Sequence, residues 1–136
     1  MTRAEIYYLT TADLRAIAGD VAGEYIVRDP GLLESAAARP RATVFGADAY
    51  PSLWDKAAAL LHSIAKNHPL IDGNKPLAIA AGAIFLARNG VNIDGLNEDL
   101  TYDLMIAVAT GEPDEVADIA EQLRKALGAT LPKSFE

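Results

Sequence analysis

Residues 68–90 read HPLIDGNKPLAIAAGAIFLARNG, a short polar segment followed by the most apolar stretch of the chain. Proline, aspartate, glycine and asparagine are concentrated in residues 68–74, which is typical of a loop. From about Lys75 to Asn89 the sequence is apolar on nearly all sides, and Gly90 follows as a helix-ending residue. The pattern predicts a buried central helix that begins directly after the loop.

Helical patterns continue on both sides of this stretch. Pro51-Ser52 opens a helix that runs to about Asn67, and His68-Pro69 stops it because a residue before proline avoids the helical region. Capping residues and apolar spacing predict four further helices. These cover about residues 11–23, 30–38, 97–110 and 113–127. Residues 40–50 lack a clear period and are predicted to form a loop or flap.

Together these patterns predict one all-α domain over residues 1–136. It is expected to be a single compact bundle of about six helices around a buried central helix, with a flap loop. The expected core spans about residues 7–128, and the tail at 129–136 is expected to fray.

Composition narrows the function classes. The chain has no cysteine, which excludes disulfides and thiolate chemistry, and its formal net charge is −7. So acidic a domain is a poor candidate for direct nucleic-acid binding. No apolar signal segment follows Met1, and the longest uncharged run, residues 76–87, is too short to span a bilayer. We expect a soluble, cytoplasmic protein without a membrane partner.

The loop at residues 68–75 holds the residues best suited to chemistry. His68 is a candidate general base, since an imidazole exchanges a proton near neutral pH. Asp72 is a candidate metal ligand. Gly73, Asn74 and Lys75 lie at a helix start, where free N–H groups and a lysine can hold an anion. This combination favours transfer of a phosphate-containing group.

Each of these residues also has an ordinary structural explanation. His68 can be a helix C-cap or a core histidine, Asp72-Gly73 an ordinary turn, and Asn74 a plain N-cap. The residue types alone leave both explanations open.

Residues 67–75 resemble the signature of the Fic/Doc family, whose general form is His-x-Phe-x-Asp/Glu-Gly/Ala-Asn-Gly/Lys-Arg. The resemblance covers about residues 7–110. Other segments similar to Doc-type members lie at residues 8–10, 31–40, 50–53, 56–61 and 85–90. The resemblance implies the Fic/Doc fold and a toxin of a toxin–antitoxin pair.

The resemblance also implies roles for the loop residues. His68 matches the histidine that deprotonates the target hydroxyl, and Asp72 matches the acidic residue that places Mg²⁺ or the nucleotide phosphates. Gly73, Asn74 and Lys75 match the anion-binding segment. Members that transfer AMP usually have glycine at position 75, whereas Doc-type kinases have lysine. The implied reaction is transfer of a phosphate from ATP to elongation factor Tu.

Further partners follow from the same resemblance. The segment at 40–50 matches a flap that docks the target, with Arg39, Arg41, Val44 and Phe45 as candidate contacts. The implied inhibitor is a Phd-like antitoxin, which acts in trans because no glutamate here is followed by glycine or asparagine, as in the inhibitory motif of many members.

Pro76 departs from the family pattern, which has an arginine that contacts nucleotide phosphate. Proline offers neither a guanidinium nor an N–H, although a first-turn proline is compatible with a helix. Either catalysis is impaired, or Arg39 or Arg41 supplies the missing contact. Impaired catalysis leaves an inactive helical module that binds an antitoxin as one alternative to a kinase. An AMP transferase is a separate alternative.

Overall fold

A computed structural model of the chain describes residues 5–127. Six α-helices are found in this part: α1 Thr11–Ala22, α2 Pro30–Ala38, α3 Leu53–Asn67, α4 Asn74–Arg88, α5 Glu98–Thr110 and α6 Val116–Leu127. The predicted all-α bundle of about six helices is confirmed. The predicted frayed tail at 129–136 lies outside the described residues. Within residues 5–127, no helix is long and apolar enough to cross a membrane.

Local capping explains where most helices begin. The Thr10 hydroxyl accepts a hydrogen bond from the Asp13 N–H, and the Asp13 carboxylate accepts one from the Thr10 N–H, which forms a capping box for α1. That backbone hydrogen bond lowers the pKa of Asp13. Side chains of Asp29, Ser52 and Asn97 accept hydrogen bonds from first-turn N–H groups and so cap α2, α3 and α5. These helix starts match the sequence prediction because each depends on neighbouring residues only.

The helix that is packed on most sides is α3, not α4 as the apolar pattern had predicted. Helix α3 contacts α2, α4, α5 and α6, whereas α4 contacts α1, α3 and α5 and leaves Lys75, Pro76, Ala87 and Arg88 exposed. The two helices approach closely, since a Cβ on Gly82 would lie 3.7 Å from the Ala57 carbonyl oxygen. Small residues permit this approach, but they do not indicate how many neighbours a helix has.

The predicted flap is not an irregular loop. A 3-10 turn at Arg39–Arg41 leads into a hairpin of two short strands, β1 Thr43–Val44 and β2 Ala47–Asp48. Phe45 and Gly46 join the strands with φ angles of 51° and 80°, as a type I′ turn requires. Strands of two residues are too short to show an alternating pattern, so the sequence did not reveal them.

A buried lysine fastens this hairpin to α3. Lys56 has no exposed surface, and its Nζ donates to Tyr50 O at 2.6 Å, to Pro40 O at 3.3 Å and to Asp48 Oδ2 at 3.3 Å. Pro40 precedes the hairpin, Asp48 belongs to it, and Tyr50 follows it. A single ammonium therefore holds the base of the flap against the bundle.

We expect Lys56→Met to lower the free energy of unfolding by about 3 kcal/mol, because the three hydrogen bonds of a buried ammonium are lost. Urea unfolding followed by circular dichroism measures the loss. Lys66→Met is the matched control, since Lys66 lies on the same helix but is exposed. Equal stability of the two variants would contradict the anchoring role of Lys56.

Candidate active site

The loop between α3 and α4 has two residues in the left-handed region of backbone space. His68 caps α3 with φ 54° and ψ 65°, and its N–H donates to Ile64 O at 3.2 Å. Gly73 precedes α4 with φ 91°. Positive φ is uncommon for a residue with a side chain, so the backbone of His68 is strained. The predicted helix stop is confirmed here, and the structure adds the left-handed turn.

A second segment of the chain supports this loop. Ile26 O accepts a hydrogen bond from the Ile71 N–H at 2.9 Å, and Pro69 O accepts one from the Arg28 N–H at 2.8 Å. Between them, Val27 and Leu70 form an antiparallel bridge. The loop is thus paired with the extended chain between α1 and α2, a contact that no local sequence pattern indicated.

Asn74 has a structural part in the loop. Its side chain accepts from the Leu70 N–H at 2.9 Å and donates to Leu70 O at 2.9 Å, and only 6% of the residue is exposed. The interpretation of Asn74 as an N-cap is wrong, because Gly73 occupies the cap position and no side chain caps the helix. The amide of Asn74 holds the loop closed, and its backbone N–H lies at the helix start.

The start of α4 offers hydrogen-bond donors to an anion. The helix begins at Asn74, so the N–H groups of Asn74 and Lys75 have no acceptor within it. Leu77 is the first residue whose N–H bonds back, to Gly73 O at 3.0 Å. Pro76 has no N–H. Two backbone donors and the exposed Lys75 side chain remain at the positive end of the helix dipole.

These groups face a cavity of about 420 Å³, a size within the usual range for small-ligand clefts. The six residues that the sequence predicted for the site, His68 and residues 72–76, line it together with three others. The lining residues are Ala22, Glu24, His68, Ile71, Asp72, Gly73, Asn74, Lys75 and Pro76. Glu24 was not predicted from the sequence, because it lies far from the signature in the chain and belongs to no motif.

The cavity contains more negative than positive side chains. Asp72 and Glu24 line it together with Lys75, and the Asp72 carboxylate accepts a hydrogen bond from the Gly73 N–H at 2.9 Å. No group of three or more metal-ligating side chains occurs among residues 5–127. Two carboxylates suit Mg²⁺ that arrives with phosphate oxygens, since those oxygens and water complete its coordination. The residues present therefore fit a magnesium nucleotide better than a free polyphosphate.

The arginines suggested as replacements for the missing phosphate contact are not in this cavity. Arg39 donates from Nε to the Tyr50 hydroxyl at 2.9 Å, and from Nη1 to His62 Nδ1 at 2.8 Å. Arg41 lies over the Tyr8 ring, 5.4 Å from its centroid. Neither residue lines the cavity. The interpretation that Arg39 or Arg41 compensates for Pro76 gains no support.

His62 belongs to a separate network. Because Arg39 donates to Nδ1, the proton of the imidazole lies on Nε2, which donates to Asp114 Oδ1 at 2.8 Å. This hydrogen bond lowers the pKa of the exposed Asp114 carboxyl. The network joins the base of the flap to the segment before α6.

Of the four candidate docking residues, Val44 and Phe45 are exposed, whereas the Arg39 side chain is half-buried and hydrogen-bonded within the protein. Val44 is 56% exposed and Phe45 is fully exposed at the tip of the hairpin. Neither lines the cavity at the loop. An exposed aromatic and an exposed valine are available for contact with another molecule.

A family model supplies the assignment. Residues 5–86 match the model described as the Fic/DOC family, which is more than half of the chain. The chain belongs to the Fic/DOC family. The match includes the whole of α1 to α3, the loop with His68 and most of α4.

Relatives within the Fic/DOC family agree with this assignment. The chain is 54% identical over 110 residues to the protein named Toxin Doc of Mycolicibacterium smegmatis, which covers 79% of this chain and 84% of that protein. It is 34% identical over 101 residues to the protein named Protein kinase doc of Escherichia phage P1, which covers 74% of this chain and 77% of that protein. The chain is therefore a Doc-like member of the Fic/DOC family.

The Fic/DOC signature allows glycine or alanine where this chain has Gly73, but the structure favours glycine. A Cβ at Gly73 would lie 2.8 Å from Ala22 Cβ, and φ is 91°. We expect Gly73→Ala to lower the free energy of unfolding by about 2 kcal/mol, from left-handed strain and the close contact. Thermal unfolding measures the change. The double variant with Ala22→Gly should recover part of it, and no recovery would mean that strain alone is responsible.

Proposed function

We propose that this Doc-like protein is a toxin with kinase activity, which transfers the γ-phosphate of ATP to a hydroxyl side chain of a translation factor. By family resemblance that factor is elongation factor Tu. The proposal rests on one observation: His68, Asp72, Lys75 and the uncapped start of α4 line the same cavity. A base and an anion site within one cleft are the elements that phosphate transfer needs.

The roles of the side chains follow from their chemistry. His68 accepts the proton of the target hydroxyl as the hydroxyl oxygen forms its bond to the γ-phosphorus. The bond between that phosphorus and the bridging oxygen breaks, and ADP leaves. Lys75 and the N–H groups of Asn74 and Lys75 stabilise negative charge on the phosphate oxygens. Asp72 would hold Mg²⁺, which supplies charge neutralisation when bound.

A regulatory partner belongs to the same proposal. The relative from Mycolicibacterium smegmatis is named a toxin, and a toxin of this kind requires an antitoxin in the cell that makes it. We infer a Phd-like antitoxin that binds this chain, and action in the cytoplasm, where translation factors are found.

Pro76 favours a second candidate function. The family arginine is absent, and neither Arg39 nor Arg41 lines the cavity. A chain with a weakened phosphate site can persist as a catalytically inactive module that binds the antitoxin. AMP transfer is a third candidate, and Lys75 argues against it because AMP-transferring members usually have glycine at this position.

Incubation with labelled ATP, Mg²⁺ and elongation factor Tu distinguishes the three candidates. Label transferred from γ-labelled ATP but not from α-labelled ATP supports the kinase. Label from α-labelled ATP indicates AMP transfer. If neither label is transferred while the antitoxin still binds, the inactive module is the correct description. Reactions without elongation factor Tu control for self-modification.

A further inference from the structure

Arg28 makes two of the shortest hydrogen bonds to the active-site loop, although it does not line the cavity. Its Nε donates to His68 O at 2.7 Å and its Nη2 donates to Asn67 O at 2.7 Å. Its backbone N–H also donates to Pro69 O at 2.8 Å. The side chain lies at the surface. A cation at the last carbonyls of α3 is also favoured by the helix dipole.

The two carbonyls that Arg28 contacts lie on either side of the His68 Cα. The Asn67 carbonyl belongs to the peptide unit before this Cα, and the His68 carbonyl belongs to the unit after it. The relative orientation of these two planes is set by φ and ψ of His68. Because a guanidinium is planar and rigid, holding both oxygens at 2.7 Å restricts both angles.

This restriction matters because His68 adopts an uncommon conformation. Its φ of 54° and ψ of 65° place it in the left-handed region, where the backbone of a residue with a side chain is strained. Such a conformation persists only where neighbouring groups determine it. Since φ and ψ fix the direction of the Cα–Cβ bond, they also decide whether the imidazole lies at the cavity.

We propose that Arg28 is the positioning residue of the catalytic histidine, acting through the backbone on both sides of His68. This inference rests on the proposed function of His68. Arg28 bonds to the backbone of His68 and does not itself line the cavity. It should therefore affect the reaction step and leave nucleotide binding unchanged.

The first test compares Arg28→Ala and Arg28→Lys with Arg15→Ala, an exposed arginine of α1 without a described contact to the loop. In phosphotransfer assays, we expect kcat of Arg28→Ala to fall about 100-fold, as for a misplaced catalytic group, with KM for ATP unchanged. Arg28→Lys should recover only part of kcat, because an ammonium cannot hold two peptide units in fixed orientation. Unchanged kcat in Arg28→Ala, or full recovery in Arg28→Lys, would overturn the proposal.

The second test needs no activity. In the free protein labelled with ¹⁵N-histidine, Arg28→Ala should shift or broaden the His68 imidazole signals and leave those of His62 unchanged. His62 is the only other histidine in the sequence, and it serves as the internal reference. Arg15→Ala should change neither. If the His68 signals stay as in the parent protein, the positioning role is wrong. If they change although the parent protein transfers no phosphate, the proposed function fails and the positioning role stands.

Discussion

Pro76→Arg is expected to raise kcat/KM for phosphotransfer about 100-fold, the effect of restoring one strong donor to a developing anion. Pro76 lines the cavity, is exposed, and lies next to Lys75 at the start of α4. Arginine at this position would add a guanidinium that can bind two phosphate oxygens at once. It would also return a backbone N–H to the helix start. The added positive charge offsets the excess of carboxylates from Glu24 and Asp72.

Pro76→Arg should leave the stability of the fold unchanged. Helix α4 begins at Asn74, so a backbone N–H at position 76 has no acceptor within the helix, and proline loses no helical hydrogen bond there. Proline is tolerated in a first turn for the same reason. We therefore expect the free energies of unfolding of the two proteins to agree within about 0.5 kcal/mol, as is usual for surface substitutions.

Two controls separate the contributions at position 76. Pro76→Ala restores the N–H without a guanidinium, and Pro76→Lys restores a charge that cannot form a bidentate contact. Transfer of label from γ-labelled ATP to elongation factor Tu, at several ATP concentrations, gives kcat and KM for each. We expect arginine to exceed lysine and lysine to exceed alanine. Equal activity of all four proteins would mean that position 76 does not contact the nucleotide.

The parts of the fold that the sequence predicted are those controlled by neighbouring residues. Thr10, Asp29, Ser52 and Asn97 cap helices within a few positions of themselves, so a local pattern was sufficient. The same holds for the loop at residues 68–75, whose side chains lie together because they are adjacent in the chain. The signature in the family resemblance is this contiguous segment, and further similar segments extend over about residues 7–110.

The parts that the sequence did not reveal depend on distant residues or on backbone angles. Glu24 and Arg28 reach the loop from the connection between α1 and α2, with no spacing to relate them to it. The amide of Asn74 would suit a helix N-cap. Only the structure shows that it bonds to both the N–H and the carbonyl oxygen of Leu70. Lys56 would be expected at the surface because it is a lysine. In the structure, three acceptors from the flap region stabilise it in the core.

Removal of the imidazole at position 68 provides the test of the catalytic histidine. His68→Ala and His68→Gly should both reduce kcat about 1,000-fold, because the target hydroxyl loses its general base. Their stabilities should differ, since φ of 54° is strained for alanine and ordinary for glycine. Urea unfolding should find the glycine variant more stable than the alanine variant by about 1 kcal/mol.

This pair of variants separates the chemistry of His68 from its conformation. Suppose that both variants lose activity and that His68→Gly is more stable than His68→Ala. The backbone strain at position 68 then accompanies a catalytic need for the imidazole at the cavity. Because the His68 side chain is exposed, its removal should not unfold the protein, so unfolding would not explain a loss of activity. Normal phosphotransfer in either variant would exclude His68 as the base. Equal stability of the two would contradict the left-handed conformation, and with it the reason for the two hydrogen bonds from Arg28.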